Sequence, residues 1–356
     1  MQCPKCNWKN DEQAHYCSNC ATQLIKPPPF YKRHKVLTVL GSLFIVFCLL
    51  FTYEVIHIFN SAVSDIDSQT ASDSVVSGSP DASDTIALIN IDGEIVESDQ
   101  SQGFTSLSDT TVSARHIKKV LKEVADDDSV KGIVLRINSP GGSAAASDEI
   151  LTDIKKFKED HKIPVVTYMT DLAASGGYYV SLSSDKIVAN PSAITGSIGV
   201  ILEYVNYGDL ASKYGVKSVV IKSGAHKDIV SPFRDPTKEE TDILQSVVDD
   251  AYDVFLTNVS TNRKMDKEKA KELADGRIYS AKQAKENGLI DETGGFEDAI
   301  NVTKKLAKID DAKVVEFGKE GFLSSLLGSI THKFNLVELP NLNHGSKLMY
   351  LYNPSM

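Results

Sequence analysis

KGIVLRINSPGG, Lys131 to Gly142, is the stretch on which the fold turns. Residues 131 to 138 read as a strand of the buried type, rich in Ile, Val and Leu, and they stop at Ser139-Pro140-Gly141-Gly142. A Pro-Gly-Gly after a strand permits a backbone turn that ordinary side chains resist, and it can aim an amide outward at a ligand. Upstream, Thr85 to Val96 (TIALINIDGEIV) reads as a strand pair or bent strand, and Ile117, Val120, Leu121 and Val124 recur at helical spacing. Downstream, Ile150, Leu151, Ile154 and Phe157 mark a second amphipathic helix, followed by a strand over 164–170. Strand, helix, strand, helix at this spacing predicts an α/β domain with a mainly parallel sheet and flanking helices. Sites of such sheets gather where strands end and helices begin.

A second such junction is AASGGYY, Ala173 to Tyr179. Ser175 follows a strand and is expected to open a helix, and its small neighbours leave room for a substrate backbone near the hydroxyl. A helix N-terminus there favours developing negative charge. Alone, a serine beside two glycines is more often an N-cap or turn residue.

Farther out, the chain changes character. Of five cysteines, four lie in the first twenty residues as Cys3, Cys6, Cys17 and Cys20, a pair of C-x2-C knuckles. Four thiolates at this spacing close a tetrahedron around zinc and leave no open position, so the metal is expected to be structural, in a ribbon over residues 1–25. His15 and Trp8 read as packing or surface residues, and two disulfides are the competing arrangement. Val36 to Tyr53 is an uncharged run that nearly spans the hydrocarbon layer of about 30 Å, and a transmembrane helix is expected over 36–59. Cys48, within it, reads as a lipid-facing or packing residue. Lys26, Lys32, Arg33, His34 and Lys35 precede the run, whereas residues 61–84 hold five Asp and no Lys or Arg. The positive-inside rule then puts the N-terminus in the cytoplasm, where thiols stay reduced, and the rest of the chain outside the cell. Residues 60–84, rich in Ser and Asp, read as a flexible acidic linker. A net charge of −10 argues against a nucleic-acid partner.

NSPGG followed by AASGGYY resembles the signal peptide peptidase A family of membrane-bound serine proteases in its short, single-repeat form. ITGSIGV (Ile194 to Val200), KSGAHKD (Lys222 to Asp228) and GRIYSAKQAKENGLID (Gly276 to Asp291) extend the resemblance through most of residues 85–310. It implies a Clp-protease and crotonase type of fold for that stretch, a homo-oligomer, by analogy an octamer, and remnant signal peptides in the membrane as substrates. The ribbon departs from the pattern, since many members begin at the membrane helix; a cytoplasmic protein is the partner considered for it.

A serine hydroxyl needs a base within hydrogen-bond reach. His116, His161, His226, His332 and His344 fall in no arrangement suited to a Ser-His-Asp site, and a lysine made neutral by desolvation is the alternative. KSGAHKD offers Lys222 and Lys227, between which periodicity does not choose; the resemblance implies Lys227. It further implies Ser175 as nucleophile, Ser197 as the hydroxyl that holds the lysine amine, and the N–H groups of Gly142 and Gly176 as the oxyanion hole. Narrow subsites for small or apolar side chains are expected. Two other readings of the outer domain are a crotonase-like acyl-CoA enzyme and a peptide-binding membrane scaffold without catalysis. Within residues 311–356, Leu323, Leu326, Leu327 and Ile330 suggest a short amphipathic helix, and Met349 to Tyr352 an extended strand that enters the active-site groove of a neighbouring subunit and restrains activity.

Overall fold

A computed structural model describes residues 1–25, 43, 46–54, 75–97, 111–318 and 348–352. The chain divides into two compact units, Met1–Ser72 and Asp73–Met356. Much of the predicted membrane segment, most of the predicted linker and the helix expected around Leu323 to Ile330 lie outside the described residues. Residues 46–54 are helical, and among the described residues no helix is long and apolar enough to cross a membrane.

In the first unit the two C-x2-C knuckles fold alike. The Cys3 N–H donates to the Trp8 carbonyl and the Cys17 N–H to that of Thr22, while Asn7 and Ala21 donate back to the carbonyls of Cys3 and Cys17. Asn7 and Ala21 both take positive φ, 56° and 55°, which curls each knuckle so that its two sulfurs face one side. The four sulfurs lie within 4.8 Å of one another. Cys3 to Cys20 and Cys6 to Cys17 are each 3.6 Å apart, too far for disulfides. A tetrahedron with zinc–sulfur bonds of ~2.3 Å has edges of about 3.8 Å, so this donor set fits a structural zinc ion.

The second unit runs β1 (Val75–Gly78), β2 (Thr85–Asp92), β3 (Glu94–Val96), β4 (Thr111–Ser113), α1 (Ala114–Ala125), β5 (Val130–Ser139), β6 (Gly141–Ser143), α2 (Ala144–His161), β7 (Val165–Ala174), α3 (Gly176–Ser181), β8 (Lys186–Ala189), β9 (Ile194–Gly196) and β10 (Ile201–Leu202). It continues through α4 (Gly208–Lys213), α5 (Lys238–Arg263), α6 (Lys267–Leu273), β11 (Ile278–Ser280), α7 (Ala281–Glu286), β12 (Glu292–Thr293), α8 (Phe296–Ala307), β13 (Lys313–Glu316) and β14 (Leu348–Leu351). The main sheet has the order β1-β13-β2-β5-β7-β8-β12 and is parallel from β13 to β12, with β9 parallel to the end of β7 and β11 antiparallel to β9. A smaller sheet, β10-β14-β6-β3-β4, stands beside it. The sheet is therefore mixed at its margins. Val75–Gly78, within the stretch read as linker, pairs antiparallel with β13; only two adjacent valines mark it in an otherwise polar segment, too few to signal a strand.

β2 shows why the strands read as continuous apolar runs. Ala87, Ile89 and Ile91 face the cluster that also takes Ile117 and Val124 of α1 and Ile150 and Ile154 of α2. Ile86 and Leu88 face the opposite cluster, closed by Ala299 and Ile300 of α8. Helices on both faces leave no strand side for water. The turn after β2 is tied to the turn after β5: Gly93 N–H donates to Asn138 O at 2.9 Å, and Ser139 Oγ donates to Gly93 O at 2.6 Å. These bonds carry β3 and β6 out of the main sheet together and found the second one.

Ile300→Ala should destabilise the second unit by about 2–5 kcal/mol, the ordinary cost of an emptied core site, measured by denaturant unfolding. Elemental analysis should find one zinc ion per chain, absent in Cys17→Ser, with the unfolding transition of the second unit unmoved.

Candidate active site

The parallel register of β7 and β9 sets the geometry. Leu172, Ala173 and Ala174 pair with Ile194, Thr195 and Gly196, so Ser175 and Ser197 leave neighbouring strands at the same level. The Ser175 N–H donates to Gly196 O at 2.8 Å, and the Ser197 N–H to Arg277 O at 2.8 Å. Both serines hold positive φ, 52° and 50°, conformations that cost a non-glycine residue of order 1–3 kcal/mol and persist where the surroundings enforce them. Ser175 precedes α3, yet its hydroxyl caps nothing there. At 1% exposed, it sits at a sharp strand-to-helix bend with a side chain uncommitted among the described residues. An N-cap or turn residue, the ordinary reading of such a serine, would be engaged.

The NSPGG turn lies against the same bend. Gly141 N–H donates to Ser139 Oγ at 3.1 Å, which stiffens the turn. A Cβ on Gly141 would stand 2.5 Å from Gly176 N and 1.9 Å from the carbonyl oxygen of Tyr350. A Cβ on Gly142, at φ +154°, would stand 2.1 Å from Ile95 O. These glycines are what lets three backbone segments converge. The third segment is β14, antiparallel to β6 with Tyr350 opposite Gly142, and antiparallel to β10 with Met349 opposite Ile201. The predicted C-terminal strand is thus present, but it adds to the groove of its own chain, not that of a neighbour. Beside Leu351 and Ser197 a cavity of about 420 Å³ opens, also lined by Tyr252 and Asp249.

Ser175, Ser197, Gly142 and Gly176 therefore come together within one chain. Lys227 does not join them. It lies on an exposed turn, and its amine makes no hydrogen bond or ion pair among the described residues. Lys222, the other candidate, is paired with Asp228 and donates to Ala225 O. Asp228 also meets Arg234 at 2.9 Å, and Arg234 reaches Glu240 at 2.6 Å. Arg234, then Lys222, hold the Asp228 carboxyl well below the usual range, and Arg234 brings Glu240 down to about 2. Depressed carboxylates hold their pairs from above their ordinary range down to the lowered values, so this hub is fully charged at neutral pH. It anchors the turn carrying Lys227 to the start of α5. Sequence reading missed it, because Arg234 joins positions six before and six after it with no periodic signature.

It also missed the aromatic pocket beside the bend. Tyr179 and Phe255 are buried, with ring centroids 4.9 Å apart, and both pack on Tyr350. AASGGYY contains Tyr179, but only the fold brings α5 across it.

Known proteins are similar to this chain. The family model described as Peptidase family S49 matches residues 157–310, and the Clp protease model matches residues 103–194. The chain is 43% identical over 246 residues to a putative signal peptide peptidase SppA of Enterococcus faecium, covering 68% of this chain and 70% of that one. It is 40% identical over 222 residues to a putative protease of Methanocaldococcus jannaschii, covering 62% and 71%. Protease 4 of Haemophilus influenzae is 35% identical over 240 residues, 67% of this chain and 37% of that protein. The Clp-protease-like α/β fold and the strand-to-helix serine agree with these matches, and the acyl-CoA and scaffold readings fall away: the chain belongs to the SppA family within peptidase family S49 and is a serine peptidase.

Proposed function

We propose that this chain is a membrane-anchored endopeptidase in which Ser175 and Lys227 form the catalytic dyad and that its substrates are remnant signal peptides left after preprotein cleavage. One observation carries the reading: an extended segment, β14, lies hydrogen-bonded to β6 with a carbonyl oxygen packed against Gly176, next to a serine held uncommitted at a strained bend. A peptide substrate added as a strand would take the same course, its backbone bound by the sheet edge and its side chains by alternate pockets.

In this mechanism the Ser175 Oγ attacks the peptide carbonyl carbon while the Lys227 amine takes the hydroxyl proton. The N–H groups of Gly142 and Gly176 receive the negative oxygen. The protonated amine then gives its proton to the leaving nitrogen as the C–N bond breaks, and an acyl-enzyme remains on Ser175. Water, deprotonated by the same amine, releases the acid. Ser197 orients the amine. The pairing of Lys222 with Asp228 and its hydrogen bond to Ala225 O support Lys227 as the base, since they commit the Lys222 amine to other partners.

Between Ile201 and Arg234 the side chains pack poorly within the chain. Leu210, Tyr214, Val219 and Ile221 are 57%, 74%, 85% and 98% exposed. Such an apolar surface supports a homo-oligomer, an octamer by family analogy, in which a further copy covers it. Because the same segment carries Lys227, subunit packing is the step that buries this amine and brings it to a serine. The uncharged run over 36–53 with its basic flank supports an anchor with the N-terminus cytoplasmic and the peptidase unit outside, and a relative named for signal peptides supports the substrate class.

Ser175→Ala should abolish peptidase activity, and membranes carrying it should accumulate signal-peptide fragments by mass spectrometry. Lys227→Ala should lower kcat by about 10⁴-fold or more, as for other members of an acting unit, whereas Lys222→Ala retains turnover; the reverse result would overturn the assignment of the base. Gly176→Ala, whose methyl would meet Ser147 Oγ at 2.6 Å, should lower kcat by about 10²- to 10³-fold.

A further inference from the structure

The amine of Lys227 makes no hydrogen bond or ion pair among the described residues, although the next residue in the chain, Asp228, is a carboxylate. That carboxylate is already occupied. Arg234 Nε donates to Asp228 Oδ2 at 3.1 Å, and Arg234 Nη2 donates to Asp228 Oδ1 at 2.9 Å and to the Asp228 carbonyl at 3.2 Å. Lys222 Nζ donates to Oδ1 as well. The guanidinium is gripped in turn from the far side. Its Nη1 and Nη2 donate to Glu240 Oε2 at 2.8 Å and Oε1 at 2.6 Å, and Glu240, 2% exposed in the first turn of α5, also accepts from the Thr237 N–H at 2.8 Å. Between the two carboxylates the backbone is strained: Val230 holds φ 62°, which β-branched residues avoid, and the Ser231 N–H donates to Asp228 O at 3.0 Å. The other charged groups around the turn are engaged too, His226 Nε2 with Glu239 at 3.6 Å and Asp235 with the Asn206 amide at 2.6 Å.

We propose that Arg234 is a positioning residue of this peptidase: it withholds the Asp228 carboxylate from the Lys227 amine and fixes the turn that bears it, so that the amine reaches the site free to accept a proton. The proposal rests on the reading of Lys227 as the base and names what keeps that base available. A carboxylate close to an amine favours the protonated form, and a protonated lysine accepts nothing. Arg234 holds both Asp228 oxygens by itself, so loss of Lys222 leaves the carboxylate clamped. A lysine in place of Arg234 supplies a point charge without the fork and cannot grip Asp228 and Glu240 together.

The test uses the full-length protein in detergent and a quenched fluorescent peptide that the wild type cleaves, with kcat and KM measured across pH. Arg234→Met should lower kcat with KM little changed, and should move the acid limb of the profile upward by about one pH unit, roughly a tenfold loss on that limb. Adding Asp228→Asn removes the released carboxylate and should return the limb to its wild-type position. Glu240→Gln loosens the anchor on the α5 side while the fork stays on Asp228, and it should leave the limb in place. Circular dichroism checks the fold of each variant; where Arg234→Met fails to fold, Arg234→Lys carries the same comparison, with a shift in the same direction. An unmoved limb in the Arg234 variant, a shift that Asp228→Asn does not reverse, or an equal shift in Glu240→Gln overturns the proposal and leaves the hub a brace. Retention of both turnover and the acid limb in Lys227→Ala overturns the assignment of the base instead, and cleavage that persists in Ser175→Ala overturns the serine mechanism; neither outcome involves a change at Arg234.

Discussion

The pairing of β9 with the last three residues of β7 is the constraint on which the site depends. Parallel strands in register must release their chains at the same height, so one ladder delivers two serines to one place. The bond from Ser175 N–H to Gly196 O then fixes the bend at the residue proposed as nucleophile. Left-handed backbone at both serines is an energetic debt that a loosely held loop would relax. Here α3 on one side and β11 on the other leave it nowhere to relax to, so strain becomes orientation.

The glycines answer a second demand, close approach. Gly141 and Gly142 stand where β3, β14 and the start of α3 meet, and any side chain there would occupy a neighbour's carbonyl or amide. A groove assembled from sheet edges binds main chain without regard to sequence, and discrimination falls to the side-chain pockets. Beside this groove Tyr179, Phe255 and Tyr350 form an aromatic cluster, and Tyr179 is tied to a partly buried carboxylate and amide. The strand edges of the groove come from β6 and β10 and the aromatic cluster from α3, α5 and β14.

The segment from β10 to α5 has another character. It buries almost none of its own apolar side chains, and a salt-bridged hub at Arg234 substitutes for a core. Such a hub fixes direction better than it supplies stability, because charge pairs taken out of water recover little beyond their desolvation. A turn held this way suits the role proposed above for Lys227, a base that completes the site on assembly.

By itself the sequence determined the α/β alternation, since strands covered on both faces must be apolar throughout, and KGIVLRIN and TIALINID are so. It also picked out the four cysteines that the ribbon brings together, because C-x2-C spacing is a local geometric requirement, and it singled out Ser175, Ser197 and the glycine turns through motifs that are contiguous in the chain. Only the tertiary structure decided what depends on long-range pairing. The strand at Val75–Gly78 exists because the edge of β13 was open to it, and the tail at 348–351 pairs within its own chain because β6 and β10 leave a strand-wide gap. Tyr179, Phe255 and Tyr350 meet only when α3, α5 and β14 converge, and no periodicity in one segment can encode a contact among three.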